Sequence, residues 1–168
     1  FDINAKIGDT VKIEVPPDIL GRIAAQTARQ VFLQNIHNIE QDTLYDKFKK
    51  KEGELISGVC QRKKKKNIFI NLGNIEGYLS VSEQSAKDHF RIGEKVKALI
   101  LSVQKGTGAP KINLTRTHPN FVKKLFEIEV PEIFDKTVEI KAIARDPGVR
   151  TKIAVYSQKE GVDSVGAC

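Results

Sequence analysis

The chain has 168 residues, 40% of them hydrophobic and 29% charged, which suits one or two small globular domains. It contains no run of about 18 apolar residues, which excludes a membrane-crossing helix, and Phe1-Asp2-Ile3-Asn4 does not open a signal peptide, so the cytoplasm is the expected compartment. The net charge of +7 is uneven: residues 51–118 carry thirteen Lys/Arg against six Asp/Glu, while the flanks balance, so a polyanion would dock on the middle segment.

In chain order, Val11, Ile13 and Val15 alternate with Lys12 and Glu14, as a strand does, and Pro16-Pro17 ends the alternation. Asp18 is an acidic helix start. Leu20, Ala24, Ala28, Val31, Phe32, Ile36 and Ile39 then recur at steps of three and four, which predicts one long amphipathic helix over roughly 18–50. Gly53 resets the pattern. Short strands are expected near 54–62, 67–72, 76–79, 95–104 and 111–115, with a short helical link from Ser80 to Gln84 and a hairpin loop at Gly106–Pro110. Five short antiparallel strands in so few residues suit a small closed barrel of the OB type.

Beyond His118-Pro119, residues Phe121, Leu125, Phe126 and Ile128 make a short amphipathic helix ending near Pro131. Val138, Ile140 and Ala142 alternate with Glu139, Lys141 and Ile143 as a strand. Arg145-Asp146-Pro147-Gly148 is a turn, Thr151–Val155 a second strand, and a further helix is expected from Val162. The fold class is therefore α+β. With no Met, and with an opening inside an apolar-polar pattern, the sequence reads as a piece of a longer protein.

Nothing in the sequence carries catalysis. His37, His89 and His118 are its only histidines, and no HExxH, GxSxG, Walker or GxGxxG pattern occurs. Cys60 and Cys168 lack ligand-like spacing, so neither metal nor cofactor is expected. The chemistry concentrates instead in Arg62-Lys63-Lys64-Lys65-Lys66, a basic run capping a hairpin. In the next strand Ile68, Ile70 and Leu72 alternate toward the barrel interior, which leaves Phe69 outside, beside the lysines, as a platform on which bases can stack. Tyr78, Arg91, Lys111, Arg116 and His118 extend the same expected RNA surface. Arg145, Arg150 and Lys152 flank the last turn, where contact with phosphate competes with a structural role, the latter through Asp146 or Glu160.

Several runs resemble the NusA family of bacterial transcription elongation and termination factors. Leu20–Val31 is similar to that family's connector helix, Leu114-Thr115-Arg116-Thr117-His118-Pro119 to its LSRTHP junction, and Phe126–Ile133 to its FELEVPEI run. Val138–Arg145 and Pro147–Val155 resemble its VEIKAIAREPGVRTKIAV segment. The resemblance implies three parts: 1–50, the end of an N-terminal domain that contacts RNA polymerase, with its connector helix; 51–117, an OB fold of the ribosomal-protein-S-one type; and 118–168, the first half of a KH domain whose GxxG loop lies beyond Cys168. It implies single-stranded nascent RNA and RNA polymerase as partners, with other antitermination factors beside them and no membrane. Lys66 stands where the wider S-one pattern has a second aromatic and Ser80 where it has a histidine, so weaker, more electrostatic RNA contact is expected. The alternative reading is the RNA-binding region of a phosphorolytic exoribonuclease, and the lack of a carboxylate cluster argues against it.

Overall fold

The computed structural model describes residues 21–106, 108–159 and 161–168. The strand expected at Val11–Val15, its Pro16-Pro17 stop and the Asp18 helix start lie outside them. The chain divides into two units, Phe1–Glu40 and Gln41–Cys168. In the first, the described residues after Gly21 belong to helix α1 (Arg22–Lys49), as the periodicity predicted. The expected apolar stripe is not buried there: its members Val31, Phe32, Ile36 and Ile39 are exposed, as is the neighbouring Leu33. Three successive apolar residues at 31–33 spread around a helix of 3.6 residues per turn and do not gather on one face. Among the described residues no helix is long and apolar enough to cross a membrane.

In the second unit, the last turns of α1 set Leu44, Tyr45 and Phe48 against a barrel core. The strands are β1 (Leu55–Lys64), β2 (Asn67–Asn71), β3 (Glu76–Leu79), β4 (Lys95–Gln104) and β5 (Lys111–Thr115), close to the expected bounds. They close in the order β1-β2-β3-β5-β4. Cys60, Ile68, Ile70, Leu79, Val96, Ile100, Ile112 and Leu114 fill the interior. The expectation of wholly antiparallel pairing fails at one place, because β3 and β5 run parallel. An odd number of strands cannot alternate in direction all the way round a closed ring, so one pair must be parallel. At Gly58 the β1 backbone comes so close to β2 that a Cβ would lie 2.5 Å from both Asn71 O and Ile70 Cγ2, a gap that only glycine leaves free.

The basic run occupies the β1–β2 hairpin. Lys64 pairs with Asn67, so Lys65-Lys66 form a two-residue turn, and both have positive φ, 49° and 67°. That is the type I′ geometry, in which Asn-Gly is favoured and two lysines are strained. Gln84 Nε2 donates to Lys66 O at 2.9 Å and helps hold the turn. The double change Lys65→Asn, Lys66→Gly should therefore stabilise the fold by about 1–2 kcal/mol. Urea unfolding checks this, and a midpoint that stays or falls would count against the strain.

After β5 the Thr115 side chain, fully buried, turns the chain: its Oγ1 accepts from the backbone N–H groups of Thr117 and His118, both at 3.2 Å. Helix α2 (Pro119–Glu129) follows, with proline at its first position, and α3 (Pro131–Phe134) continues it. Strands β6 (Val138–Asp146) and β7 (Arg150–Ser157) form a hairpin whose inner face packs Val138, Ile140, Ile143, Ile153 and Val155 with Ile133 and Phe126. The expected face Val138/Ile140/Ala142 is corrected after Ile140. A bulge there pairs Ile140 with Val155 and then Ala142 with Ala154, leaving one extra residue. The alternation flips, so Ile143 turns inward and Ala142 outward. The helix expected from Val162 is also absent from the described residues: the chain ends in a turn in which Ala167 N donates to Asp163 O at 3.1 Å.

Candidate nucleic-acid interface

Strand register assembles the site. Arg62 on β1 lies opposite Phe69 on β2, which lies opposite Tyr78 on β3, which lies opposite Asn113 on β5. Ile68, Ile70 and Leu79 point into the barrel, so these partners share its outer face. The Phe69 and Tyr78 rings are 5.5 Å apart and tilted by 59°. The Arg62 guanidinium sits 4.2 Å from the Phe69 ring centre, and Lys111 Nζ sits 5.1 Å from that of Tyr78. Four of the expected residues thus form one row, cation–aromatic–aromatic–cation.

Glu76 belongs to this row too, although sequence reading did not single it out. It accepts from Arg62 Nε at 2.9 Å and from Nη2 at 2.7 Å. The pair holds the Arg62 guanidinium above its ordinary range, mainly through that hydrogen bond. The signal was present: Glu76 stands two residues before Tyr78 on one strand and so faces the same way.

Lys63, Lys64, Lys65 and Lys66 stand at the hairpin end, all exposed, and among the described residues none has a carboxylate partner. Lys63 and Lys66 also border a groove of about 550 Å³ walled by Gln84, Ser85, Asp88 and His89. Arg91 is exposed in the loop before β4, where its backbone N–H donates to Glu94 at 2.8 Å. Arg150 and Lys152 are exposed on β7.

The structure gives three of the expected RNA contacts different work. Arg116 is half-buried: its Nε and Nη2 donate to Asp88 at 2.7 and 3.1 Å, its Nη1 donates to Lys97 O, and its guanidinium lies 5.0 and 4.9 Å from the ring centres of Phe90 and Phe121. His118 caps α2, its Nδ1 accepting from Asn120 N at 3.1 Å. Arg145 donates to the carbonyls of Thr117 and His118 and lies 5.4 Å from the centre of the same Phe121 ring. Burial, and then the charge of Arg116, push its guanidinium below the usual arginine range. It is held inside the fold, but by these carbonyls in place of the expected Asp146. The β6–β7 turn docks beside them: Gly148, with φ of 84°, lies where a Cβ would be 2.5 Å from Ser85 Oγ.

Comparison with known proteins bears on the same regions. Residues 1–42 match the family model of the NusA N-terminal domain, 49–114 that of the S1 RNA binding domain, and 116–168 that of the NusA-like first KH domain. The protein named transcription termination/antitermination protein NusA is 44% identical over 98% of this chain in Halalkalibacterium halodurans. The corresponding values are 45% over 96% in Bacillus subtilis and 37% over 100% in Thermus thermophilus. The chain covers 43–44% of the length of these relatives. With three matched regions in succession and relatives aligned along nearly all of its residues, the chain belongs to the NusA family.

Proposed function

We propose that this chain binds single-stranded RNA on the outer face of its barrel, and that within the longer protein it serves transcription elongation, pausing, termination and antitermination. Nascent RNA is the ligand and RNA polymerase the protein partner, the latter through the region matching the N-terminal domain model. The mechanism is binding alone, with no catalytic step: cations hold the backbone and aromatic rings stack on bases. One observation carries this reading, the row of Phe69 and Tyr78 beside four lysines that have no carboxylate partner among the described residues. Such a surface reads little sequence, because every base has a stacking face and every nucleotide a phosphate.

Changing Phe69 to Ala should weaken binding of a fluorescent oligouridine by about 1–3 kcal/mol and leave the dependence on salt unchanged, because stacking releases no counterions. Anisotropy titrations at several salt concentrations measure both. A thermal melt should move little, since the half-exposed ring lies outside the barrel core. Unaltered affinity would count against the stacking platform.

A further inference from the structure

The Arg62–Glu76 pair is placed in an unusual way. Arg62 is on β1 and Glu76 on β3, with β2 between them. To reach Glu76 the Arg62 side chain must cross β2 on the outer face, and Phe69 stands in its path. The two hydrogen bonds to Glu76 and the 4.2 Å stacking distance are therefore a single arrangement, a strap drawn across the ring. Tyr78 packs against the Phe69 ring from the other neighbouring strand. The guanidinium thus covers one face of the Phe69 ring.

We infer that Glu76 sets RNA affinity by holding Arg62 over the Phe69 stacking surface, so that RNA binds by exchange. A base takes the place of the guanidinium on the ring, and a phosphate takes the place of Glu76 on the guanidinium. This rests on the RNA-binding reading given above and adds a closed state to it. The exchange is chemically even-handed, because a phosphate offers the same two-oxygen acceptor to the arginine fork that a carboxylate does. Its consequence is that only the unstrapped fraction of the protein is competent to stack, and apparent affinity is reduced by that fraction. An RNA that brings no phosphate to Arg62 would have to break the pair without replacing it, which favours a continuous strand over an isolated base.

The test uses the whole chain and oligouridine. Glu76→Gln keeps the shape of the side chain and removes the charge that holds the strap. Affinity should rise by about three- to tenfold as the unstrapped population grows. Loss of a negative charge would by itself attract RNA, so the same change is made in a Phe69→Ala background. The strap predicts that the gain is clearly smaller there, since there is no longer a ring to uncover and only the charge effect remains, and this coupling is what a double-mutant cycle measures. An equal gain in both backgrounds would overturn the strap and leave charge alone as the cause. Weaker or unchanged binding by Glu76→Gln with Phe69 intact would overturn it as well, and would make the pair a support of the platform. Failure of the parent chain to bind oligouridine would overturn the RNA-binding reading itself, and the strap with it.

Discussion

Replacing Asp88 by asparagine should lower the stability of the folded chain by about 3–5 kcal/mol, the usual effect of removing one partner from a buried ion pair. Asp88 is 11% exposed and Arg116 19%, so water does little to screen either charge. The carboxylate accepts twice from Arg116, and its Oδ2 also accepts from Ser85 N at 3.0 Å. Asparagine would keep a single oxygen and turn an N–H group toward a guanidinium. Arg116 and Arg145 both lie within about 5.5 Å of the Phe121 ring, at 4.9 and 5.4 Å, and the Asp88 charge acts on Arg145 as well. Without it, two half-buried cations would share one aromatic ring with no counter-charge between them. The loop that Asp88 ties to Ser85 also receives the Gly148 turn, so the barrel and the β6–β7 hairpin would loosen together. Urea unfolding gives the free energy directly, and a melting temperature lower by roughly 6–20 °C is expected for a chain of this size. Pairing Asp88→Leu with Arg116→Met should restore much of the loss, because the penalty lies in the unpaired charge. A drop below about 1 kcal/mol in the single variant would mean that the pair is effectively solvated and that packing alone holds the junction.

The network around Phe121 shows where sequence reading stopped. Arg116 carries no mark of burial in its own neighbourhood, and the Thr-Arg-Thr-His run reads as polar surface. Its burial depends on Asp88 and Phe90, 28 and 26 residues earlier, and on Phe121, which comes from α2. Glu76 was missed for a related reason, since its partner stands 14 residues away across an intervening strand. The barrel strands, by contrast, were legible nearly to the residue. Their period-two alternation and their turn residues are local signals, and Phe69 fell on the outer face because Ile68 and Ile70 fixed the inner one. The β6 bulge sits between these cases. One added residue flips every later side chain, and the pattern Val-Glu-Ile-Lys-Ala-Ile does not say where the slip falls. The parallel β3–β5 pair followed from closure of the ring, a global property that no short window contains.

Changing Lys63, Lys64, Lys65 and Lys66 together to Gln should weaken oligouridine binding about a hundredfold at 0.1 M salt and flatten its salt dependence. Each phosphate neutralised on a single strand contributes about 0.7 to the slope of log affinity against log salt, or roughly fivefold in affinity at 0.1 M. A parent slope near −3 to −4 corresponds to about four to six contacts. Loss of about three of them gives the hundredfold change and a residual slope near −1 to −2. The lysines suit this role because none is tied to a carboxylate among the described residues, in contrast to Arg62 and Arg116 nearby. Their exposure at a hairpin tip lets successive phosphates meet them without reshaping the barrel. Two of them also hold a strained turn that asparagine and glycine would form more readily, so the local backbone gives no reason for lysine there. The loss should be the same for oligouridine and oligoadenine, since phosphate contacts carry no base information. The melt should stay in place or rise slightly, because four like charges at one tip repel each other. An unchanged salt slope would show that the lysines are only solvated surface, and that the strand is held by the cations of the aromatic row.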